Sequence, residues 1–125
     1  MSNSTETIVH EFTIVSTETS TTIPRGYAVT AWGKLAASPL GVVGVAKWDA
    51  EAGQAITVVQ GDVFVKFNGT PGTNVELSVH TDGTFDAAVA TDVVVGSQLQ
   101  PVIADEPALG KAWILGGHPT YVKPA

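Results

Sequence analysis

Residues 40–67, which read LGVVGVAKWDAEAGQAITVVQGDVFVKF, decide the fold of this chain. Their β-branched residues suit the pleated surface of a sheet and predict three strands: 42–46, 56–59 and 62–67. A small acidic turn at 49–53 follows the first strand, and Gly61 predicts a bulge or tight corner before the third. The stretch therefore predicts compact β-structure, and nothing in it is typical of a catalytic motif.

The composition of the whole chain favours the same fold class. The chain has 125 residues, which is long enough for one domain with its own core. Charged residues make up only 14% of it and hydrophobic residues 44%, and 13 glycines and 7 prolines interrupt it throughout. Helical bundles contain more Glu, Lys, Leu and Arg than this. We therefore expect a small, mostly-β domain of short strands and many turns.

The charge pattern argues against several classes of partner. The net charge is −6, and the six basic residues are spread singly: Arg25, Lys34, Lys47, Lys66, Lys111 and Lys123. Nucleic acids and anionic membranes both attract clustered Lys and Arg. The sequence therefore predicts neither a nucleic-acid partner nor a membrane partner.

The absence of cysteine excludes disulfides and thiolate metal sites. The start of the chain lacks the pattern of a signal peptide, and the longest uncharged apolar run, residues 35–46, is too short to span a bilayer. A soluble protein made in the cytoplasm is the simplest expectation.

The N-terminal segment, residues 1–22, differs in composition from the rest of the chain. It is rich in Ser and Thr and is predicted to form a flexible arm, within which residues 16–22 are low in complexity. Within it, residues 7–15 alternate in the manner of a strand, with Ile8, Phe12 and Ile14 on one face. This strand has two possible fates: to pair within its own domain, or to add to the sheet edge of another protein.

The remaining residues divide into a β domain at 23–117 and a short C-terminal tail at 118–125. Four further strands are predicted in the domain: 27–32, 75–80, 91–95 and 111–115. Asp82-Gly83 predicts a hairpin turn after the second of them.

No group of residues in the sequence predicts catalysis, and we expect no enzyme activity, cofactor or metal. The histidines, His10, His80 and His118, lie in separate segments without the spacing of a metal site. The carboxylates form two local pairs, which turn capping and solubility explain: Asp49 with Glu51, and Asp105 with Glu106. The G-x-S-x-G motif and the glycine-rich phosphate loops are both absent. A small-molecule substrate is not expected.

Residues 40–67 resemble the small head decoration (cement) proteins of tailed bacteriophages. The matching features are the strand 44–46, the Ala/Gly turn 50–53, the strand 56–59 and Gly61. A second lobe matches more loosely, through residues 75–79, Asp82-Gly83, 93–96 and 112–115. Together the resemblance covers residues 23–115.

The resemblance implies a β-tulip-like or barrel-like fold and a homotrimer on the outer surface of the virion. In that family an N-terminal arm can add a strand to a sheet of the major capsid protein. The residues of this chain that would play that part are Ile8, Val9, Phe12, Ile14 and Val15. Before assembly the protein would reside in the host cytoplasm.

The alternative is a small β recognition module, such as a carbohydrate-binding or tail-fibre-type domain. It would use Trp32, Trp48 or Trp113 as an exposed platform on which a ligand stacks. The same residues could instead fill the core or anchor an interface.

Overall fold

The computed structural model describes residues 6–69, 75–100, 109–115 and 122–124, and this part of the chain contains eight strands and no helix. The strands are β1 (Thr7–Val15), β2 (Ala28–Thr30), β3 (Val42–Ala46), β4 (Ala55–Val65), β5 (Glu76–Val79), β6 (Phe85–Ala87), β7 (Gly96–Gln100) and β8 (Gly110–Ile114). The prediction of a small, mostly-β, barrel-like domain is confirmed.

The longest strand, β4, organises the sheet. All strand pairs are antiparallel, and the order is β2-β3-β4-β8-β7-β5-β6. The strand β1 pairs with β4 as a third partner, from Thr7 opposite Asp62 to Val15 opposite Ala55. The fold-deciding stretch therefore supplies the strand on which three others assemble.

Hydrogen bonds between the two ends of the sheet nearly close it into a barrel. The backbone N–H of Ala28 in β2 donates to the carbonyl of Gly83, just before β6, at 2.9 Å. Phe67, two residues beyond β4, forms a parallel bridge with Phe85 in β6. The result is a nearly closed, barrel-like antiparallel sheet.

The core has two main parts, one on each face of β4. Val59, Val63 and Val65 face one cluster, which includes Leu77, Phe85 and Ile114. Ile56 and Val58 face the other, which includes Ile23. Successive side chains of a strand point to opposite faces, so a strand covered on both faces needs apolar residues at nearly every position. This explains why β4 carries apolar residues on both of its faces, on either side of Gln60-Gly61-Asp62.

Strand β1 has the bounds that the alternating pattern predicts, and it pairs within its own chain. Ile8, Phe12 and Ile14 are half-buried and pack against the two core clusters. Val9 and Val15 point outward and are 62% and 63% exposed. Of the two fates left open by the sequence, this structure contains the first.

Hydrogen bonds cross the domain boundary predicted at residue 22. The N–H of Ser16 donates to the Gln54 carbonyl at 2.8 Å, and the Thr22 hydroxyl donates to Glu51 at 3.0 Å. Residues 6–22 are thus joined to the sheet of the body, and their predicted flexibility stays a prediction. In the predicted tail, the N–H of Lys123 donates to the Asp92 carbonyl at 2.8 Å, while residues 118–121 lie outside the described part.

Two details of the predicted strands are wrong. Residues 91–95 form no strand; β7 begins at Gly96, where the predicted strand ended. A turn occupies this place, in which the Asp92 carboxylate accepts the N–H of Val89 at 2.9 Å and Thr91 adopts a φ of 73°. The strands predicted at 56–59 and 62–67 are a single strand, with Gly61 at a φ of 117° opposite a register shift in β1.

Candidate functional site

The outer edge of β1 is the candidate functional site. In an antiparallel pair, residues alternate between exchanging hydrogen bonds with the partner and pointing their backbone groups away from it. Ser16 donates to Gln54, which makes Ile14, Phe12 and His10 the residues bonded to β4.

Thr13 lies opposite Thr57, and the Thr57 carbonyl is occupied by the N–H of Lys47 in another segment, at 2.9 Å. The backbone groups of Glu11 and Thr13 therefore point away from β4. Within the part of the chain that the structure describes, β1 pairs with no strand but β4. We call the outward-pointing backbone of Glu11 and Thr13 the open edge.

Several contacts hold β1 in place, so that the open edge is preformed. Glu6 directly precedes β1, and its carboxylate accepts the N–H of Phe64 at 2.9 Å. The Glu11 carboxylate lies 3.3 Å from the Lys47 ammonium. At Gly61, a Cβ atom would lie 2.5 Å from the carbonyl oxygen of Thr7 and 2.8 Å from the nitrogen of Val9. Glycine at this position thus allows the two strands to approach.

The five residues predicted to bind a partner divide into two groups. Ile8, Phe12 and Ile14 pack against the core of their own chain and are half-buried while β1 remains paired. Val9 and Val15 are exposed and can contact a partner. The alternation in the sequence separates these two faces but cannot say which face the protein buries.

A turn at residues 31–34 adjoins the C-terminal end of β1. The N–H of Thr17 donates to the Gly33 carbonyl at 2.9 Å, and the Thr17 hydroxyl donates to the Trp32 carbonyl at 2.8 Å. The ring of Trp32 lies against Gly41, where a Cβ atom would be 2.4 Å from it. Trp32 is nevertheless 66% exposed, and Val15 and Leu40 beside this turn are also exposed.

The other two tryptophans have different surroundings. Trp48 is exposed, with the Arg25 guanidinium 5.7 Å and the Lys47 ammonium 5.3 Å from its ring centroid. Trp113 is half-buried on β8. Among the described residues no ring contact joins any two tryptophans. The three residues thus do not stack into one shared aromatic face.

The described histidines and the Asp49 carboxylate make local structural contacts. His10 packs against Phe12, with 5.3 Å between ring centroids, and His80 lies 3.9 Å from Asp86. Asp49 accepts a backbone N–H as predicted, but from Arg25 in a distant turn, at 2.8 Å. His118, Asp105 and Glu106 lie outside the described residues. The described part contains no group of three or more residues arranged to hold a metal ion.

The predicted hairpin turn after β5 contains the one side chain with a clearly shifted pKa in the described residues. The Thr84 hydroxyl donates to the Asp82 carboxylate, as does the Thr84 N–H at 3.0 Å. Chiefly the hydroxyl hydrogen bond lowers the pKa of Asp82, because it stabilises the ionised carboxylate. This carboxylate closes the turn and stands apart from any cluster of candidate catalytic groups.

No sequence pattern predicts one buried ion pair. The Lys111 ammonium lies 3.0 Å from the Asp62 carboxylate, and the lysine side chain is only 1% exposed. The other Asp62 oxygen has no hydrogen-bond partner among the described residues. The pair joins β4 to β8 and stands directly beside the residues that contact β1.

No protein-family model matches this chain, and no curated protein matches it. In the described part of the chain, no helix is long and apolar enough to cross a membrane.

Proposed function

We propose that this protein decorates the outer surface of an assembled phage head as a homotrimer and stabilises that head. The observation that supports the proposal is the open edge of β1, a preformed strand edge without a partner in the described part of the chain. Exposed edges are sites where another chain adds a strand. Residues 23–115 resemble head decoration proteins, and in that family the partner is the major capsid protein.

The structure favours one mode of binding, in which β1 remains paired with β4. Detaching β1 would expose Ile8, Phe12 and Ile14, whose burial is worth up to about 1.5–3 kcal/mol for each side chain. It would also break the hydrogen bonds between β1 and β4. Adding a capsid strand to the open edge neither exposes these side chains nor breaks these hydrogen bonds, because the backbone groups of Glu11 and Thr13 already point outward. The capsid strand therefore extends the sheet of the decoration protein.

Stabilisation of the head follows from selective binding. A protein that binds only the assembled, expanded lattice shifts the equilibrium away from disrupted states of that lattice. Such a protein needs a surface complementary to the lattice and no catalytic group.

The variant Thr13→Pro is expected to weaken binding to heads while leaving the fold intact. Proline has no N–H, and at this position it removes an outward donor rather than a hydrogen bond to β4. We expect the wild-type chain to cosediment with expanded heads of the phage that encodes it, assembled without the chain. Thr13→Pro should weaken this binding at least about tenfold, because a strand hydrogen bond and close backbone contact are lost.

The matched control is Thr13→Ala, which keeps the N–H and should bind as the wild type does. Denaturant unfolding of both variants verifies that the sheet is intact. Failure of the wild-type chain to bind expanded heads would refute the decoration function. Undiminished binding by a folded Thr13→Pro variant would refute the open edge as the binding site.

The alternative function, a small recognition module, is favoured by the exposure of Trp32 and Trp48. An exposed indole can stack on a sugar ring or anchor a protein interface. Protection of these rings from a soluble quencher by oligosaccharides would support the module.

A further inference from the structure

We propose, on the basis of the decoration function, that Val15, Trp32 and Leu40 form an apolar anchor at the end of the open edge. The anchor receives a large apolar side chain of the partner strand. The same strand presents a basic residue to Glu11. This assigns a specificity-determining residue, Trp32, and a sequence pattern to the partner.

Backbone hydrogen bonds fix Trp32 in an exposed position. Thr17 donates hydrogen bonds to the backbone carbonyls of both Trp32 and Gly33. The N–H of Ala31 donates to the Gly41 carbonyl at 3.0 Å. Gly33 and Gly41 both have a φ of 76°, a conformation that other residues rarely adopt. One face of the indole lies on Gly41. An exposed ring that is already fixed loses little conformational entropy on binding, as expected of an interface anchor.

The anchor is continuous with the open edge. A partner strand that pairs with Glu11 and Thr13 next reaches Val15. There its path is blocked, because Gly33 lies so close that a Cβ on it would be 2.3 Å from the Val15 carbonyl oxygen. The partner must leave the edge at this point. Its next side chain then meets the turn that carries Trp32.

The chemistry of the surface around Trp32 favours a protein partner. The hydroxyl of Thr17 is occupied by the Trp32 carbonyl, and that of Ser38 accepts the N–H of Leu40 at 3.3 Å. These two hydroxyls hold neighbouring backbone groups, and the exposed side chains of the anchor itself, Val15, Trp32 and Leu40, are apolar, which favours an apolar side chain of a protein partner over a glycan.

The partner's basic residue follows from charge. The Glu11 side chain remains 47% exposed beside Lys47, and the chain carries a net charge of −6. A lysine or arginine opposite Glu11 is complementary to the charge of this carboxylate and to the negative net charge of the chain. Residues opposite Glu11 and Val15 share one face of the partner strand, because side chains alternate along it. The partner's basic and large apolar residues are thus separated by three others.

The test compares Trp32→Ala with Trp48→Ala in binding to the expanded heads used for the wild-type chain. Both tryptophans are exposed, so both variants should fold, and denaturant unfolding verifies this. We expect Trp32→Ala to weaken binding at least about tenfold, as expected for an interface hot spot. Trp48→Ala should bind like the wild type. Trp32→Phe, which keeps an apolar ring, should retain part of the affinity.

The outcomes separate this inference from the function on which it rests. Binding by the wild type and equally by Trp32→Ala would overturn the anchor and leave decoration standing. No binding by the wild type would overturn both. Protection of Trp32 from acrylamide by soluble oligosaccharides, without protection by heads, would assign the ring to glycan recognition instead and overturn the anchor.

Discussion

Replacing Gly61 by alanine is expected to loosen β1 from β4 and to lower the free energy of unfolding by about 3 kcal/mol. Two costs add at this position. A non-glycine residue at a φ of 117° carries strain of about 1–3 kcal/mol. The new methyl group would also lie 2.5 Å from the Thr7 carbonyl oxygen and 2.8 Å from the Val9 nitrogen, so the backbone of β1 must move. Denaturant unfolding monitored by tryptophan fluorescence measures the loss.

The matched control is Gly53→Ala. Gly53 also has a positive φ, 80°, but a Cβ there would meet no atom within 4 Å. Only the conformational cost of about 1 kcal/mol remains. Equal losses for the two variants would mean that β1 does not lie against Gly61 in solution. A selective loss at Gly61 would support the paired arrangement of β1.

Replacing Lys111 by methionine is expected to lower the free energy of unfolding by about 3 kcal/mol, because breaking a buried ion pair leaves a charge without its partner. The lysine is 1% exposed and its ammonium lies 3.0 Å from Asp62. Methionine fills a similar volume, so that lost packing contributes little. The Asp62 carboxylate, with one oxygen already lacking a hydrogen-bond partner in the described residues, would then lose its cation. Urea unfolding measures the effect.

A double-mutant cycle separates the ion pair from other effects of the substitution. Lys111→Met combined with Asp62→Leu removes both charges and should be less destabilising than the sum of the two single variants. If the free energies of the single variants simply add, the two groups do not interact in the folded protein. A loss below about 0.5 kcal/mol for Lys111→Met would place it in the range of ordinary surface substitutions.

Much of the fold could be predicted because its strands carry strong local signals. The β-branched runs at Val42–Ala46 and Ala55–Val65 predict strands, and the alternation at Thr7–Val15 predicts the bounds of β1 and separates its two faces. Strand β7 was missed because it reads GSQLQ, in which polar residues dominate. Its Gln98 is fully buried, contrary to the usual preference of glutamine for the surface.

The candidate site was less predictable, because it depends on pairing between distant segments. The partner of β1 is β4, whose paired residues lie 40 to 55 positions further along the chain, and no local pattern identifies it. The alternation also could not decide whether Ile8, Phe12 and Ile14 contact their own core or a partner. The exposure of Trp32 arises from two glycines with positive φ and from Thr17. The composition of the chain does not reveal that these residues contact the turn that carries Trp32.

Amide hydrogen exchange along β1 tests most directly whether its outer edge is the working surface. In the free protein, the N–H groups of Phe12 and Ile14 should exchange slowly and those of Glu11 and Thr13 rapidly, because only the first two bond to β4. On expanded heads, Glu11 and Thr13 should become protected as well. Uniformly rapid exchange in the free protein would show that β1 is not paired with β4. A lack of added protection of Glu11 and Thr13 on saturated heads would show that the open edge is not the binding surface.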